Sequence, residues 1–241
     1  MSSGYRSMVY GGLLAAALSI SVAPAPALAA GASTGTGRVT AAKPPGFRLN
    51  GTATMLSNNR IRLTNGGYQQ MGSAWLTDQI DVTRSFVATF RASLLGVEDR
   101  GADGVAFVVQ SVGPRALGGW GGGLGYRGVR PSVAVELDDF QNAPDPAGDH
   151  IGIVLGGNPD VHLATAPTAK PLYGNTTTVK VVYDASAHRL LVFAGKDMAL
   201  DQRVDVAREL GAGRAWVGFT GATGDLTSIQ DITNWAVVTG R

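Results

Sequence analysis

Between Glu136 and His150 the sequence reads Glu-Leu-Asp-Asp-Phe-Gln-Asn-Ala-Pro-Asp-Pro-Ala-Gly-Asp-His, its densest run of groups able to ligate a cation. In an extended strand alternate side chains share a face, so Glu136 and Asp138 point the same way, and Phe140 and Asn142 follow at the same parity. Pro144, Pro146 and Gly148 shape a compact turn that can fold Asp145 and His150 back toward that face. Carboxylates about 4 Å apart repel by roughly 1 to 4 kcal/mol per pair, depending on screening. A divalent cation converts that repulsion into attraction. Oxygen donors from Asp, Asn and a backbone carbonyl suit Ca²⁺, and one imidazole added to carboxylates suits a transition ion such as Mn²⁺. The set can serve two neighbouring ions that share Asp138 and Asp145. On ligand types alone, a solvated polar loop with an incidental histidine stays equally open.

The elements that must position these groups read as strands. Ser132-Val-Ala-Val-Glu-Leu-Asp138 alternates, with Val133, Val135 and Leu137 opposite Glu136 and Asp138. Ser85 to Ala92 alternates with Phe86, Ala88 and Phe90 on one face, and Val105 to Gln110 is nearly continuous in apolar residues. Thr177 to Tyr183, Arg189 to Phe193 and Ala215 to Thr220 extend the series. These runs are short, rich in Val, Phe and Thr, and bounded by turn residues. Helical spacing shows only around Asp205 to Leu210, as one short turn. Many short strands without intervening helices indicate one all-β sandwich or barrel, and the lack of a fixed repeat disfavours a propeller or solenoid.

The chain has 241 residues, 44% hydrophobic and 16% charged, enough apolar material for one sizeable core. Its 34 glycines suit tight turns more than long helices. With a net charge of +2 and scattered basic residues, it offers no surface for tracking phosphates, so nucleic acid is not an expected partner. The absence of cysteine removes disulfides, thiolate chemistry and Cys-ligated zinc. Residues 1–29 read as an export signal. One basic residue, Arg6, precedes the apolar run Gly11 to Val22, and Ala27-Leu28-Ala29 fits a small-x-small cleavage site. The run is too short for a comfortable membrane span of about 20 residues. Residues 30–45, rich in Gly, Ser, Thr, Ala and Pro, read as a flexible linker. The expectation is a secreted protein with no membrane span after processing, its folded domain covering 46–241.

At the acidic cluster the sequence resembles the legume-type (L-type) lectin family and its bacterial relatives. The family's Val-Glu-Phe-Asp-Thr-aromatic-x-Asn, Asp-Pro and His-Ile-Gly-Ile stand here as Val135 to Asn142, Asp145-Pro146 and His150-Ile151-Gly152-Ile153. Gly101-Ala102-Asp103-Gly104 resembles the family's Ala-Asp-Gly segment, and Gly118 to Tyr126 its Gly-rich stretch. Val217 to Gly224 and Ile232 to Trp235 resemble its closing strands, so the likeness runs in order from about Phe47 to Val238. It implies a concanavalin-like jelly roll of antiparallel sheets. It assigns Glu136, Asp138, Asp145 and His150 to a transition ion such as Mn²⁺, and Asp138, the Phe140 carbonyl, Asn142 and Asp145 to Ca²⁺. Beside them it implies a shallow carbohydrate site of Asp103, Gly122, Phe140 and Asn142, with the loop after Gly224, including Asp225, as a further wall. It also implies a cis Ala102–Asp103 peptide and sugar binding that depends on metal.

The chemistry of such a site is coherent. Asp103 would accept hydrogen bonds from adjacent sugar hydroxyls, with Asn142 and the Gly122 backbone completing the set, and the Phe140 ring would cover sugar C–H groups. Two positions depart from the family. Asp139 stands where Thr is usual, at the parity opposite the ligands and expected to be harmless, and Gln230 stands where His is common, with no bearing on metal. A glycoside hydrolase of the same fold needs two carboxyls about 5 to 5.5 Å apart for retention. Here Gln141 stands where a second Glu would be, so the expectation is no enzyme. A structural or adhesive sandwich without a sugar site is the third reading, and a homo-oligomer is compatible with all three. His162 and His188 read as surface histidines of a loop and a hairpin turn, Trp75, Trp216 and Trp235 as core, and Trp120 as a residue that could stand beside the sugar site.

Overall fold

The computed structural model describes residues 46–96, 100–143 and 145–240. The export signal read at 1–29 and the linker read at 30–45 lie outside the described residues, as does Pro144 of the acidic turn. In chain order the strands are β1 (Phe47–Gly51), β2 (Thr54–Ser57), β3 (Arg60–Asn65), β4 (Met71–Leu76), β5 (Ile80–Asp81), β6 (Phe86–Leu95), β7 (Gly104–Gln110), β8 (Ser132–Asp138) and β9 (His150–Leu155). There follow β10 (His162–Pro167), β11 (Asn175–Asp184), β12 (Arg189–Ala194), β13 (Asp197–Arg203), β14 (Arg214–Ala222) and β15 (Ile229–Thr239). An eight-stranded antiparallel sheet runs β1-β4-β14-β7-β8-β9-β10, with β5 paired to β14, and a seven-stranded one runs β13-β12-β11-β6-β15-β3-β2. They pack as the jelly-roll sandwich expected.

Alternation in the sequence becomes two-sidedness in the sheet. On β6 the side chains of Phe86, Ala88, Phe90, Ala92 and Leu94 are buried between the sheets while their neighbours reach the surface. On β8, Val133, Val135 and Leu137 enter the same core, joined by Val105, Phe107 and Val109 from β7. Phe90 lies 5.0 Å from Phe219 and 6.0 Å from Phe107 between ring centroids. Such aromatic pairs contribute about 0.5–1.5 kcal/mol beyond the area they bury.

Both faces of β8 are nonetheless buried. The segment from Ser111 to Pro131 folds over the outer face of the larger sheet, and Leu124, Tyr126 and Val129 pack there against Trp75, Val108, Ala134 and Val154. Trp75 Nε1 donates to the Ala116 carbonyl at 2.7 Å, fixing that segment to β4. This second, smaller core sets the height of the Gly121–Gly123 turn above the end of β8. Among the described residues the one α-helix, α1 (Val206–Leu210), is capped by Asp205, whose side chain accepts from Arg208 N, and it ends at Gly211 in the left-handed region.

Candidate functional site

Pairing of β8 with β9 sets Glu136 opposite Gly152 and Asp138 opposite His150, so the side chains of Glu136, Asp138 and His150 gather on the outer face. All three are buried. Glu136 is held at both oxygens. Its Oε1 accepts from the Tyr126 hydroxyl, and its Oε2 lies 3.0 Å from His162 Nε2. Burial, then the adjacent Glu136 charge, pushes the Tyr126 hydroxyl well above the usual tyrosine range, so it stays a proton donor. The His162 pKa is raised, first by its hydrogen bond to Glu136. His150 Nε2 lies 3.3 Å from His162 Nε2, and His150 Nδ1 is 3.1 Å from the Ala147 carbonyl. Glu136, His150 and His162 each bring one ligand atom into a group whose members all lie within 4.8 Å of one another.

Asp138 and Asp145 stand beside this group rather than in it. Asp138 Oδ1 accepts from Phe140 N at 2.9 Å. Even so, burial, reinforced by Glu136, Asp145 and Asp139, raises its carboxyl well above the usual range. Asp145 Oδ2 accepts from Asn142 N at 2.6 Å and its own N donates to the Asn142 carbonyl at 3.1 Å, closing the loop on itself. Buried Asp138, its carboxyl raised with neighbouring acids contributing, together with Glu136 and the imidazole nitrogens, forms a donor set that a divalent cation fits.

His162 is a correction to the loop reading. It opens β10, next to β9 in the larger sheet, and its side chain is only 9% exposed. The approach depends on Gly152. A Cβ there would lie 2.7 Å from Glu136 Oε2 and 2.8 Å from His162 Cδ2, too close for any other residue without displacement.

The second cluster surrounds Asp103, which is 4% exposed. The Ala102–Asp103 peptide is cis. Asp103 N donates to the Ala222 carbonyl at 3.1 Å, its carbonyl accepts from Asp139 N at 3.1 Å, and the Ala102 carbonyl accepts from Ser228 Oγ at 3.0 Å. Gln230 Nε2 donates both to Ser228 Oγ and to the Ala222 carbonyl, at 2.9 and 2.7 Å, bracing the same segment from behind. Among the described residues nothing donates to Asp103 Oδ2. Burial, then the charge of exposed Asp225, pushes this carboxyl up to about 7. The position of a Cβ on Gly224 would be 3.2 Å from Asp103 Oδ2 and 3.4 Å from Gly121 Cα. A Cβ on Gly122 would be 2.4 Å from Asn142 Oδ1, so the Asn142 amide rests against bare backbone. Asp103 thus lies beside Gly224, whose Cβ position is close to Gly121, while Asn142 rests against Gly122 of the same turn.

Phe140 is placed differently. It is half-buried and lines a neighbouring cavity of about 320 Å³ with Arg100, Asp139, Asp149 and Tyr173. Asp139 is less innocent than its parity suggests, since both carboxylate oxygens are buried without a donor among the described residues. Burial, then Asp103 and Asp149, pushes its carboxyl up to about 7. Trp120, 48% exposed, stands directly before the Gly121–Gly123 turn. Tyr68, not singled out from the sequence, is 66% exposed in a loop whose Gln69 N donates to the Gly224 carbonyl and whose Gly67 carbonyl accepts from Thr223 Oγ1. Only its Gly-Gly-Tyr turn setting could have marked it.

A family model described as a legume lectin beta-barrel domain matches residues 40–235. The chain belongs to the L-type lectin family. The galactose-binding lectin of Arachis hypogaea is 29% identical over 215 residues, 80% of this chain and 77% of its own length. The pesticidal crystal protein Cry22Aa of Bacillus thuringiensis is 39% identical over 111 residues, 45% of this chain; the chain spans 15% of that protein's length. A solved structure of basic winged bean lectin with Tn-antigen superposes with a TM-score of 0.69 at 25% identity, covering 81% of this chain and 93% of that one. The L-type lectin domain is carbohydrate-binding and not enzymatic, which disposes of the glycosidase reading.

Proposed function

We propose that this L-type lectin is exported, with its leader removed near Ala29, and that it binds glycans through a site at Asp103 in a metal-dependent manner. The single observation that carries the reading is Asp103: a buried carboxyl with an oxygen that has no donor among the described residues, beside the Gly224 backbone and within reach of the Asp225 charge. An unpaired buried acceptor is costly unless a ligand supplies donors, and vicinal sugar hydroxyls supply two. Asn142 would donate and accept beside it, and Gly122 and Gly224 keep the walls free of side chains so that a pyranose can approach.

Glu136, Asp138, Asp145 and His150 would hold a transition ion, and Asp138, the Phe140 carbonyl, Asn142 and Asp145 a calcium ion. Bound cations would supply the positive charge that offsets these buried acids and fixes the 139–149 loop. Asn142, common to the calcium set and the sugar set, couples the two. Since one relative is named a galactose-binding lectin and one solved neighbour carries Tn-antigen, galactose-type sugars are the first to test. A monosaccharide should bind near millimolar, about −4 kcal/mol, with multivalent display strengthening it.

The test is a glycan array run before and after complete chelation, with Asp103→Ala alongside. Chelation should abolish binding, and Asp103→Ala should do so with its metals retained. Binding that persists after metal removal overturns the metal dependence, and an Asp103→Ala protein that binds normally places the site elsewhere.

A further inference from the structure

We propose that His162 is itself a metal ligand added to the Glu136, Asp138, Asp145 and His150 set, giving this lectin a two-imidazole transition-metal centre that selects late ions such as Zn²⁺ over Mn²⁺. The inference deepens the reading above and rests on it only in requiring that the centre hold an ion.

The distances support ligation. Glu136 Oε2 to His162 Nε2 is 3.0 Å, and His162 Nε2 to His150 Nε2 is 3.3 Å. Nitrogen and oxygen ligands sit about 2.0–2.2 Å from zinc. Two such ligands are therefore about 3.0 Å apart at a right angle and about 3.4 Å apart at a tetrahedral angle. The two spacings to His162 fall in that range, and all three ligand atoms lie within 4.8 Å of one another, so an ion could draw them in by a modest movement of the side chains.

The orientations support it too. A carbonyl can only accept, so the His150 Nδ1 proton points at Ala147 O, and the Nε2 lone pair of His150 faces into the group. This is the arrangement by which a carbonyl sets the tautomer of a metal-ligating histidine. The Tyr126 hydroxyl occupies Glu136 Oε1 and leaves Oε2 to face the histidines. In the metal-free protein His162 Nε2–H donates to Glu136. On ligation Nε2 gives up that proton while Nδ1 keeps or takes one from solvent, so the ring binds as neutral imidazole and its Nε2 lone pair faces the ion.

The pattern also separates this chain from the single-imidazole set that its family likeness implies. A second imidazole matters for selectivity because affinity for nitrogen donors climbs from Mn²⁺ toward Cu²⁺, with Zn²⁺ well above Mn²⁺. Gly152 provides the necessary space, since any side chain there would enter the gap between Glu136 and His162.

The experiment uses the full-length protein, stripped of metal and reloaded from equimolar Zn²⁺ and Mn²⁺ with Ca²⁺ present, its metal content read by mass spectrometry. Wild type should take up Zn²⁺ in preference. His162→Gln and His162→Asn should lose zinc affinity about 10- to 100-fold, an effect at least as large as that of removing an outer-sphere partner, while Mn²⁺ affinity changes much less. Pulsed electron paramagnetic resonance on the Cu²⁺-loaded wild type needs no variant and should show couplings from two imidazoles, one of which disappears in His162→Gln. One imidazole in wild type, or unchanged zinc affinity in both variants, overturns the proposal and leaves His162 a structural partner of Glu136. Glycan binding is scored separately. Its survival after metal removal would sink the metal-dependent lectin reading while leaving the two-imidazole centre standing.

Discussion

Strand β8 has an apolar core on each side, and the two are built differently. Between the sheets, Phe90, Phe107 and Phe219 interlock with aliphatic side chains from both layers, so that core joins residues far apart in the chain. On the outer face, Trp75, Leu124, Tyr126 and a few small residues pack beneath one folded-over segment. The inner core decides whether the sandwich exists. The outer one decides where the Gly121–Gly123 turn and the Tyr126 hydroxyl stand, and through them the geometry at Glu136 and Asn142. Stability and site placement are thus assigned largely to opposite faces of the same strand.

Substitution on each face should break the two functions apart. Phe107→Ala should cost about 3–5 kcal/mol of stability, read as a large fall in the melting midpoint, with sugar binding lost only as the protein unfolds. Leu124→Ala should cost less, about 2–3 kcal/mol, yet remove sugar binding from protein that remains folded. If both variants melt and lose binding in parallel, the division is false.

A finer test is Tyr126→Phe, which keeps the ring in the outer core and deletes only the donor to Glu136. Metal affinity should fall about 10- to 100-fold, measured by competition with a chromophoric chelator, while the melting midpoint of metal-free protein moves little. The smallest effect belongs to Asp225→Asn. The Asp225 charge helps hold the Asp103 carboxyl near 7. Neutralising it favours the ionised form, so the Asp103 pKa falls. Because ionised Asp103 is the acceptor for sugar, binding weakens below that pKa. The acid limb of the binding curve should therefore move to lower pH, by a fraction of a unit given the exposure of Asp225. A limb that stays in place would mean that Asp103 does not control it.

Much of this division could be read from the residues. The alternation of Val133, Val135 and Leu137 with Glu136 and Asp138 gave both faces of β8, because a period of two leaves no other arrangement in a paired strand. Phe86, Ala88 and Phe90 gave β6 in the same way. The family likeness, not the pattern, supplied Asp103 and Gly122, since residues that meet through loops carry no local periodic signal. His162 escaped for a concrete reason. Its strand reads His-Leu-Ala-Thr-Ala-Pro, weak in β-branched and aromatic residues and closed by proline, and a bulge between His162 and Ala164 breaks the regular register. Asp139 was misjudged because parity gives direction and says nothing about what covers the side chain on that side.

The position of β10 gives His162 a mechanical meaning as well as a chemical one. This strand is the outermost of its sheet, and such margins offer unpaired backbone to any passing chain. Glu136, His150 and His162 belong to three adjacent strands, β8, β9 and β10. An ion gripped by all three rivets the rim of the sheet to its interior. Scarcity of metal would then loosen one of the margins open to unwanted self-association, in addition to any effect on sugar capture.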